Sequence, residues 1–133
     1  MKAVPDLRQV PKPLGPYSHC VVANGLVFLA GQAPLAPGKA PGDWAASDIA
    51  GQTRQCLRNV EAILVELGLG LDSVVKTTVF LRDPGDFGMM NEAYREFFPV
   101  DPPARSVAKL GAEVQGLLVS IEAVAVYEPR KEG

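Results

Sequence analysis

Apolar residues recur along this chain in two rhythms, one near 3.6 residues and one of two, and each rhythm marks a different element. Ile49, Cys56, Val60, Ile63, Leu64 and Leu67 fall at helical spacing. They predict a helix from an N-cap at Asp48 to about Leu67, stopped by Gly68 and Gly70. Gln52, Arg54, Arg58, Glu61 and Glu66 are assigned to its other face, so it is expected to bury one side only. Phe87, Met90, Tyr94 and Phe97 predict a second one-sided helix, capped by Asp86 and ended by Pro99. Strand signals lie between and around these helices. Tyr17 to Ala23 and Leu26 to Ala30 flank Asn24-Gly25, a hairpin turn whose residues both tolerate φ > 0. Ser73 to Leu81 is dense in β-branched residues. Arg105 to Lys109 and Leu117 to Tyr127 complete the set, with a loop around Gly111 and Gly116 between them.

The predicted order is β-β-α-β-α-β-β, an α+β layer with a mixed sheet and two helices packed on one face. In the last strand Leu118, Ser120, Glu122, Val124 and Val126 alternate with Leu117, Val119, Ile121, Ala123, Ala125 and Tyr127. Both sets are largely apolar, so both faces are expected to be covered. Two helices cover one face; another subunit is the simplest cover for the other.

Length and composition bound the rest. The 133 residues are expected to form a single domain, with residues 1–12 extended over the surface and 128–133 a frayed tail. Trp44, the lone tryptophan, is expected to pin the 34–47 loop to the body through its apolar ring. A net charge of −2 without a basic stripe gives no field to attract nucleic acid or an anionic membrane. No apolar run is long enough to span a bilayer, and the N-terminal residues lack a signal-peptide core, so the expected location is cytoplasmic. Cys20 and Cys56 are too few for a disulfide framework or zinc site, and no metal is expected. Both cysteines read as inert core thiols, His19 as a structural histidine with proton shuttling as the alternative, and Lys76 as a solvent-facing strand lysine.

The candidate chemistry centres on Pro102-Pro103-Ala104-Arg105-Ser106-Val107. Two prolines stiffen the approach to one arginine at the mouth of a strand. Its planar fork of donors suits a carboxylate or phosphate. On spacing alone it reads as a surface arginine at a loop–strand junction.

A wider set of motifs changes that. Pro13-Leu14-Gly15-Pro16-Tyr17-Ser18, Phe28-Leu29-Ala30-Gly31-Gln32-Ala33-Pro34, Asn59, Val75 to Leu81, Met90-Asn91-Glu92-Ala93-Tyr94 with Phe97-Phe98, Pro103-Ala104-Arg105-Ser106, and Ile121 to Ala125 together resemble the RidA (YjgF/L-PSP, reactive-intermediate deaminase) family, in matching order from about residue 13 to 127. The resemblance implies a chorismate-mutase-like fold, a homotrimer with pockets between subunits, and cofactor-free hydrolysis of enamines and imines of small 2-keto acids to keto acid and ammonia. It places Arg105 on the arginine that grips the substrate carboxylate, Tyr17 and Asn91 on pocket-lining positions, and Gly31 on the glycine after the second strand. It also marks departures. Ala30 stands where such deaminases usually have serine, Val107 where they have cysteine, and Ser120 where they have a glutamate that helps hold the attacking water. Ser120 can hydrogen-bond a water but is a poor base at neutral pH. The expected substrate-binding set is therefore Arg105, Tyr17, Ala30, Gly31, Asn91 and Val107, and the catalytic pair is Arg105 and Ser120. The leading expectation is a protein that binds 2-imino and 2-keto acids and hydrolyses imines weakly. The rivals are a non-catalytic carboxylate-binding trimer and, less favoured, an RNA-cleaving enzyme.

Overall fold

The computed structural model describes residues 1–8, 10 and 12–128. Most of the expected tail, residues 129–133, lies outside the described residues. The elements are β1 (Cys20–Ala23), β2 (Leu26–Gln32), α1 (Ile49–Glu66), β3 (Val74–Leu81), α2 (Phe87–Phe97), β4 (Ala104–Lys109) and β5 (Val119–Val126). They form one five-stranded sheet in the order β1-β2-β5-β3-β4. The β3–β4 pair is parallel and every other pair antiparallel. Asn24 and Gly25 take φ of 52° and 75°, so the β1–β2 hairpin turns where the sequence predicts.

One face of the sheet is packed. Val27 and Leu29 of β2, Val79 and Leu81 of β3, and Val119, Ile121, Ala123 and Ala125 of β5 are buried with Ile49, Cys56, Leu57, Val60, Ile63 and Leu64 of α1. Met90, Ala93 and Tyr94 of α2 complete this layer. Each fully buried aliphatic side chain contributes about 1.5–3 kcal/mol of transfer free energy. The other face is only half covered. The ladder aligns Phe28, Val124 and Lys76 across β2, β5 and β3, and pairs Glu122 with Thr78 and Ser120 with Phe80. Phe28 is 45% exposed there. Ser120, Glu122 and Val124 of β5 are half-buried on it.

Several expectations need correction. Strand β1 begins at Cys20, not Tyr17: the Tyr17 amide donates to the Gly15 carbonyl (2.9 Å) in a turn, and the His19 carbonyl, accepting from the Ala30 amide (2.8 Å), is the first to reach β2. Strand β5 begins at Val119, not Leu117. The Leu118 amide donates to Gln52 Oε1 (2.9 Å), and the Leu118 carbonyl accepts from the Arg82 amide (3.0 Å). Asp86 makes no side-chain cap bond at α2; Asp83 accepts instead from the Gly85 amide (2.9 Å), closing a 3-10 turn at Pro84–Asp86. Asp48 does cap α1, through the Gly51 amide. Phe87 is 45% exposed, not core.

The larger correction concerns α1. Gln52, assigned to the solvent face, is fully buried, and Thr53, Gln55 and Asn59 are buried as well. The polarity is used for stapling. Gln52 Nε2 donates to the Ala46 and Gly116 carbonyls (3.0 and 2.8 Å) while Oε1 holds the Leu118 amide. Asn59 Nδ2 donates to the Ala33 and Leu35 carbonyls (3.1 and 2.9 Å). Two side chains thereby tie the 33–47 and 110–118 loops to the helix and satisfy backbone groups that irregular loops would leave unpaired. Trp44 joins the same clasp: its indole N–H donates to the Gln115 carbonyl (2.9 Å), and its ring lies against Gly116. The tryptophan pin is thus as much a hydrogen bond as an apolar contact.

Leaving a buried polar group unpaired costs roughly 1–3 kcal/mol. Gln52→Leu strands one amide and two carbonyls, and is expected to lower the unfolding free energy by about 2–3 kcal/mol in urea titrations at fixed protein concentration. Arg58→Leu, on the exposed side of α1, is expected to change it by less than about 0.5 kcal/mol.

Candidate functional site

Two groups of candidate residues form at opposite ends of the sheet. The first is built on β4 and α2. After Pro99 the chain turns through Asp101, which adopts a left-handed φ of 44°, and Pro102-Pro103 deliver it into β4. Parallel pairing sets Arg105 opposite Thr77 and Val107 opposite Val79, and both β3 residues face the helices. Arg105 therefore points to the helix side of the sheet edge, where α2 meets it. Its guanidinium carbon lies 4.8 Å from the centroid of the Tyr94 ring and 5.7 Å from that of Phe87. Both distances fall in the range of cation–π attraction. Among the described residues the guanidinium has no hydrogen-bond or ion-pair partner. It borders an open cavity of about 310 Å³, shared with Asn91, Tyr94, Phe98 and Pro103. Asn91 Oδ1 is buried beside it without a partner among the described residues. A cation with free donors and an uncommitted amide oxygen thus share one wall, an arrangement suited to a small carboxylate with a hydrogen-bonding group next to it.

Val107, two residues on from Arg105, is 38% exposed and lines a neighbouring apolar hollow of about 390 Å³ with Leu81, Pro84 and Phe87. It is beside the Arg105 cavity, not in its wall.

The second group sits where β1, β2 and β5 meet. Tyr17 is 47% exposed; its hydroxyl accepts from the Leu14 amide (3.2 Å), and its ring stands edge-on to His19 with centroids 6.1 Å apart. Gln32 Nε2 reaches the Ala30 carbonyl (3.0 Å) and lies 3.3 Å from His19 Nδ1. A register shift between Leu29 and Gln32 bulges Ala30-Gly31 out of the β2–β5 ladder. This brings Gly31 against Ser120: a Cβ at residue 31 would stand 3.0 Å from Ser120 Oγ. A side chain at residue 31 would press on the Ser120 hydroxyl and require it to shift. A small hollow of about 50 Å³ links Tyr17, His19, Gly31 and Asn59.

One chain does not bring the two groups together. Gly31 on β2 and Arg105 on β4 are three strand spacings apart in the sheet order, roughly 14 Å. They also differ in face. Ser120 alternates with the helix-packed Val119 and Ile121, so it belongs to the open face, whereas Arg105 belongs to the helix side. Of the residues expected to form the site, Arg105 and Asn91 converge, Gly31 shares a hollow with Tyr17 and lies against Ser120, Ala30 precedes it in the bulge, and Val107 flanks the first group.

Sequence reasoning missed Tyr94 and Phe87, which it treated as core. Their signal is the spacing Phe87, Asn91, Tyr94, which places two rings and an amide on one stripe of α2. The cysteines are as expected. Cys56 is fully buried, its thiol donating to the Val119 carbonyl (3.7 Å), and Cys20 is 2% exposed. Burial pushes both thiols up, Glu66 adding to the effect at Cys20. Lys76 is not simply solvent-facing, since its Nζ donates to the Thr77 carbonyl (3.0 Å) and Thr78 Oγ1 (3.3 Å). Among the described residues no helix is long and apolar enough to cross a membrane.

Comparison with known proteins bears on this arrangement. Residues 7–127 match the family described as Endoribonuclease L-PSP. A RutC family protein of Pyrococcus horikoshii is 42% identical over 96% of this chain and 100% of its own. A mouse protein named 2-iminobutanoate/2-iminopropanoate deaminase is 35% identical over 97% of this chain and 94% of its own. Among solved structures, E. coli TdcF with bound serine superposes with a TM-score of 0.83 at 34% identity, covering 95% of this chain and 99% of that one. The E. coli YjgF gene product gives 0.78 at 35% identity, covering 90% and 94%.

The raised thiol of Cys56 has a consequence for pH dependence. A group whose folded pKa lies above its unfolded one stabilises below the unfolded value and loses that contribution as pH rises past it. Unfolded cysteine ionises near pH ~8.5. The stability advantage of the wild type over Cys56→Ala is therefore expected to shrink from pH 8.5 to 10, by at most about 1.4 kcal/mol per pH unit. Urea unfolding of both proteins across that range measures it.

Proposed function

The chain belongs to the RidA/YjgF/L-PSP family, and on that footing we propose that it binds small 2-imino and 2-keto acids and hydrolyses enamines and imines to keto acid and ammonia. The observation that carries this reading is Arg105: a guanidinium without a protein partner among the described residues, held over two rings at the wall of a cavity. Its fork clamps the substrate carboxylate through two charge-assisted bonds. The mouse deaminase's name and the serine bound to TdcF, itself an α-carboxylate ligand, support that substrate class.

In this reading the complete site forms between copies. A homotrimer packed through the half-covered sheet face sets the β4 edge of one copy beside the Tyr17–Gly31–Ser120 group of the next, and Tyr17 closes over the bound acid. Hydrolysis adds water to the imine carbon while the nitrogen takes a proton; collapse of the carbinolamine then expels ammonia. The clamp orients the substrate, the Gly31 and Ala30 backbone lets the water approach, and the Ser120 hydroxyl hydrogen-bonds that water. A positioned acid or base is typically worth ~10²–10⁴ in rate, and serine supplies little of that near pH 7. Glu122 shares the face of Ser120 but lies about 7 Å further along β5, too far to aim the same water. The turnover assigned here is therefore slow. No cofactor is required, and both free thiols suit a reducing cytoplasm.

Ser120 also favours a second reading, in which the trimer binds the acid without turning it over. RNA cleavage, the activity in the family's description, is the weakest reading, since the net charge of −2 provides no electrostatic footprint.

Arg105→Ala is expected to weaken pyruvate binding by at least about 30-fold in titration calorimetry; unchanged affinity removes Arg105 from the site. An amino-acid oxidase that generates the imine, with semicarbazide trapping what survives, separates turnover from binding alone. In that assay Ser120→Glu is expected to raise hydrolysis about tenfold or more over wild type. No gain would argue against a missing base as the cause of slow turnover.

A further inference from the structure

Family membership does not explain why Arg105 stays where it is without a counter-charge. Among the described residues it makes no ion pair and no hydrogen bond, and an arginine side chain free to rotate would have about 2 kcal/mol of rotamer entropy to lose on binding. Three observations account for its fixed place. First, the parallel register seats Arg105 directly beside Thr77, which is fully buried. Second, the Thr77 and Tyr94 hydroxyls are 2.7 Å apart in a buried hydrogen bond, which fixes the plane and height of the Tyr94 ring. Phe98 packs against the same ring at a tilt of 40°, with centroids 4.9 Å apart. Third, Phe87 and Tyr94 are seven residues apart on α2, two turns or about 10.5 Å along the axis, so the guanidinium sits between their rings. Burial raises the Tyr94 phenol, offset in part by the Thr77 bond and the charge of Arg105, so the hydroxyl is protonated at neutral pH.

We propose that Tyr94 is the positioning residue for Arg105: its ring, pinned by Thr77, is the platform that holds the guanidinium at the cavity wall beside Asn91. Tyr94 touches no reacting atom in this account; it acts through Arg105. The platform offers cation–π attraction in place of a carboxylate. It restrains the arginine without neutralising it, and leaves the donor fork unspent for an incoming acid. The ligand part of this inference rests on the carboxylate-clamp reading above, but the restraint on Arg105 does not.

The test uses the full chain and two readouts. The Arg105 Nε–Hε resonance is assigned by its loss in Arg105→Ala. In the wild type it is expected to show a high heteronuclear NOE and an upfield ring-current shift of Hε. Tyr94→Leu is expected to abolish the shift and drop the NOE to that of exposed arginines. Thr77→Val, which removes the anchor and keeps the ring, is expected to lower the NOE in part. In binding, Tyr94→Leu is expected to raise the pyruvate Kd about 2- to 30-fold, the range of one cation–π contact, with no further loss when added to Arg105→Ala. In the coupled assay KM rises and kcat stays within about twofold. A merely structural role for Tyr94 predicts lowered stability with the Arg105 signal unchanged, and that result overturns the proposal. If Tyr94→Leu does not fold, Thr77→Val and Tyr94→Phe decide it, and an Arg105 signal as rigid as wild type in both overturns it. Wild-type protein that binds no pyruvate defeats the clamp reading, while the NMR comparison still settles whether Tyr94 holds Arg105.

Discussion

The position of β5 in the middle of the sheet is the constraint on which the rest depends. It pairs with β2 on one side and β3 on the other. Its period of two then sends Val119, Ile121, Ala123 and Ala125 into the helices and Ser120, Glu122 and Val124 to the opposite face. A slip of one residue would invert every side chain and bury Glu122 under α1. The same pairing places the candidate residues. It sets Ser120 against Gly31, and it leaves Arg105 on a strand two places away, on the other side of the sheet. A single chain holds two separate groups of candidate residues because its central strand lies between them.

The packed face is held by two kinds of interaction with different geometry. Aliphatic contact between α1 and β5 is non-directional and tolerates small shifts. The amides of Gln52 and Asn59 are directional and do not. They fasten the loops at 33–47 and 110–118, which precede α1 and β5, and so fix where both elements begin. At the β4 edge the division is similar. Met90 and Ala93 bury the inner face of α2, while the Thr77–Tyr94 hydroxyl pair orients one ring beneath Arg105. Polar groups buried inside an apolar layer serve here to set orientation, because a misplaced polar partner in a low-dielectric interior is costly.

Much of this was legible from residues alone, for identifiable reasons. The Asn24-Gly25 turn, the Asp48 cap and the β-branched run of β3 are local signals, set by backbone preferences that neighbours do not override. The ends of β1, β2 and β5 were misjudged by one to three residues because their backbone groups are taken by turns, a bulge or side chains from elsewhere, as with Gln52 and Arg82 at Leu117-Leu118. Gln52 itself reads as a solvent-facing residue because glutamine is polar. Nothing in its neighbourhood along the chain signals that two distant loops need its amide. Arg105 stands out through the two prolines before it, while Tyr17, Asn91 and Gly31 become candidates only through motif resemblance. Phe87 and Tyr94 do not, because an aromatic stripe on a helix reads as core.

What the sequence determined by itself is the set of elements, their order, the family, and a list of candidate residues. These follow from periodicity, turn residues and motif order, all properties of short windows read in series. The tertiary structure alone decided which of those residues meet. The parallel register of β3 with β4 places Thr77, Tyr94 and Arg105 in contact although they are separated by more than ten residues on either side of the tyrosine. The bulge after Leu29 brings Gly31 to Ser120 across nearly ninety positions. Strand register is a collective result of packing one face of the whole sheet, so no local stretch encodes it.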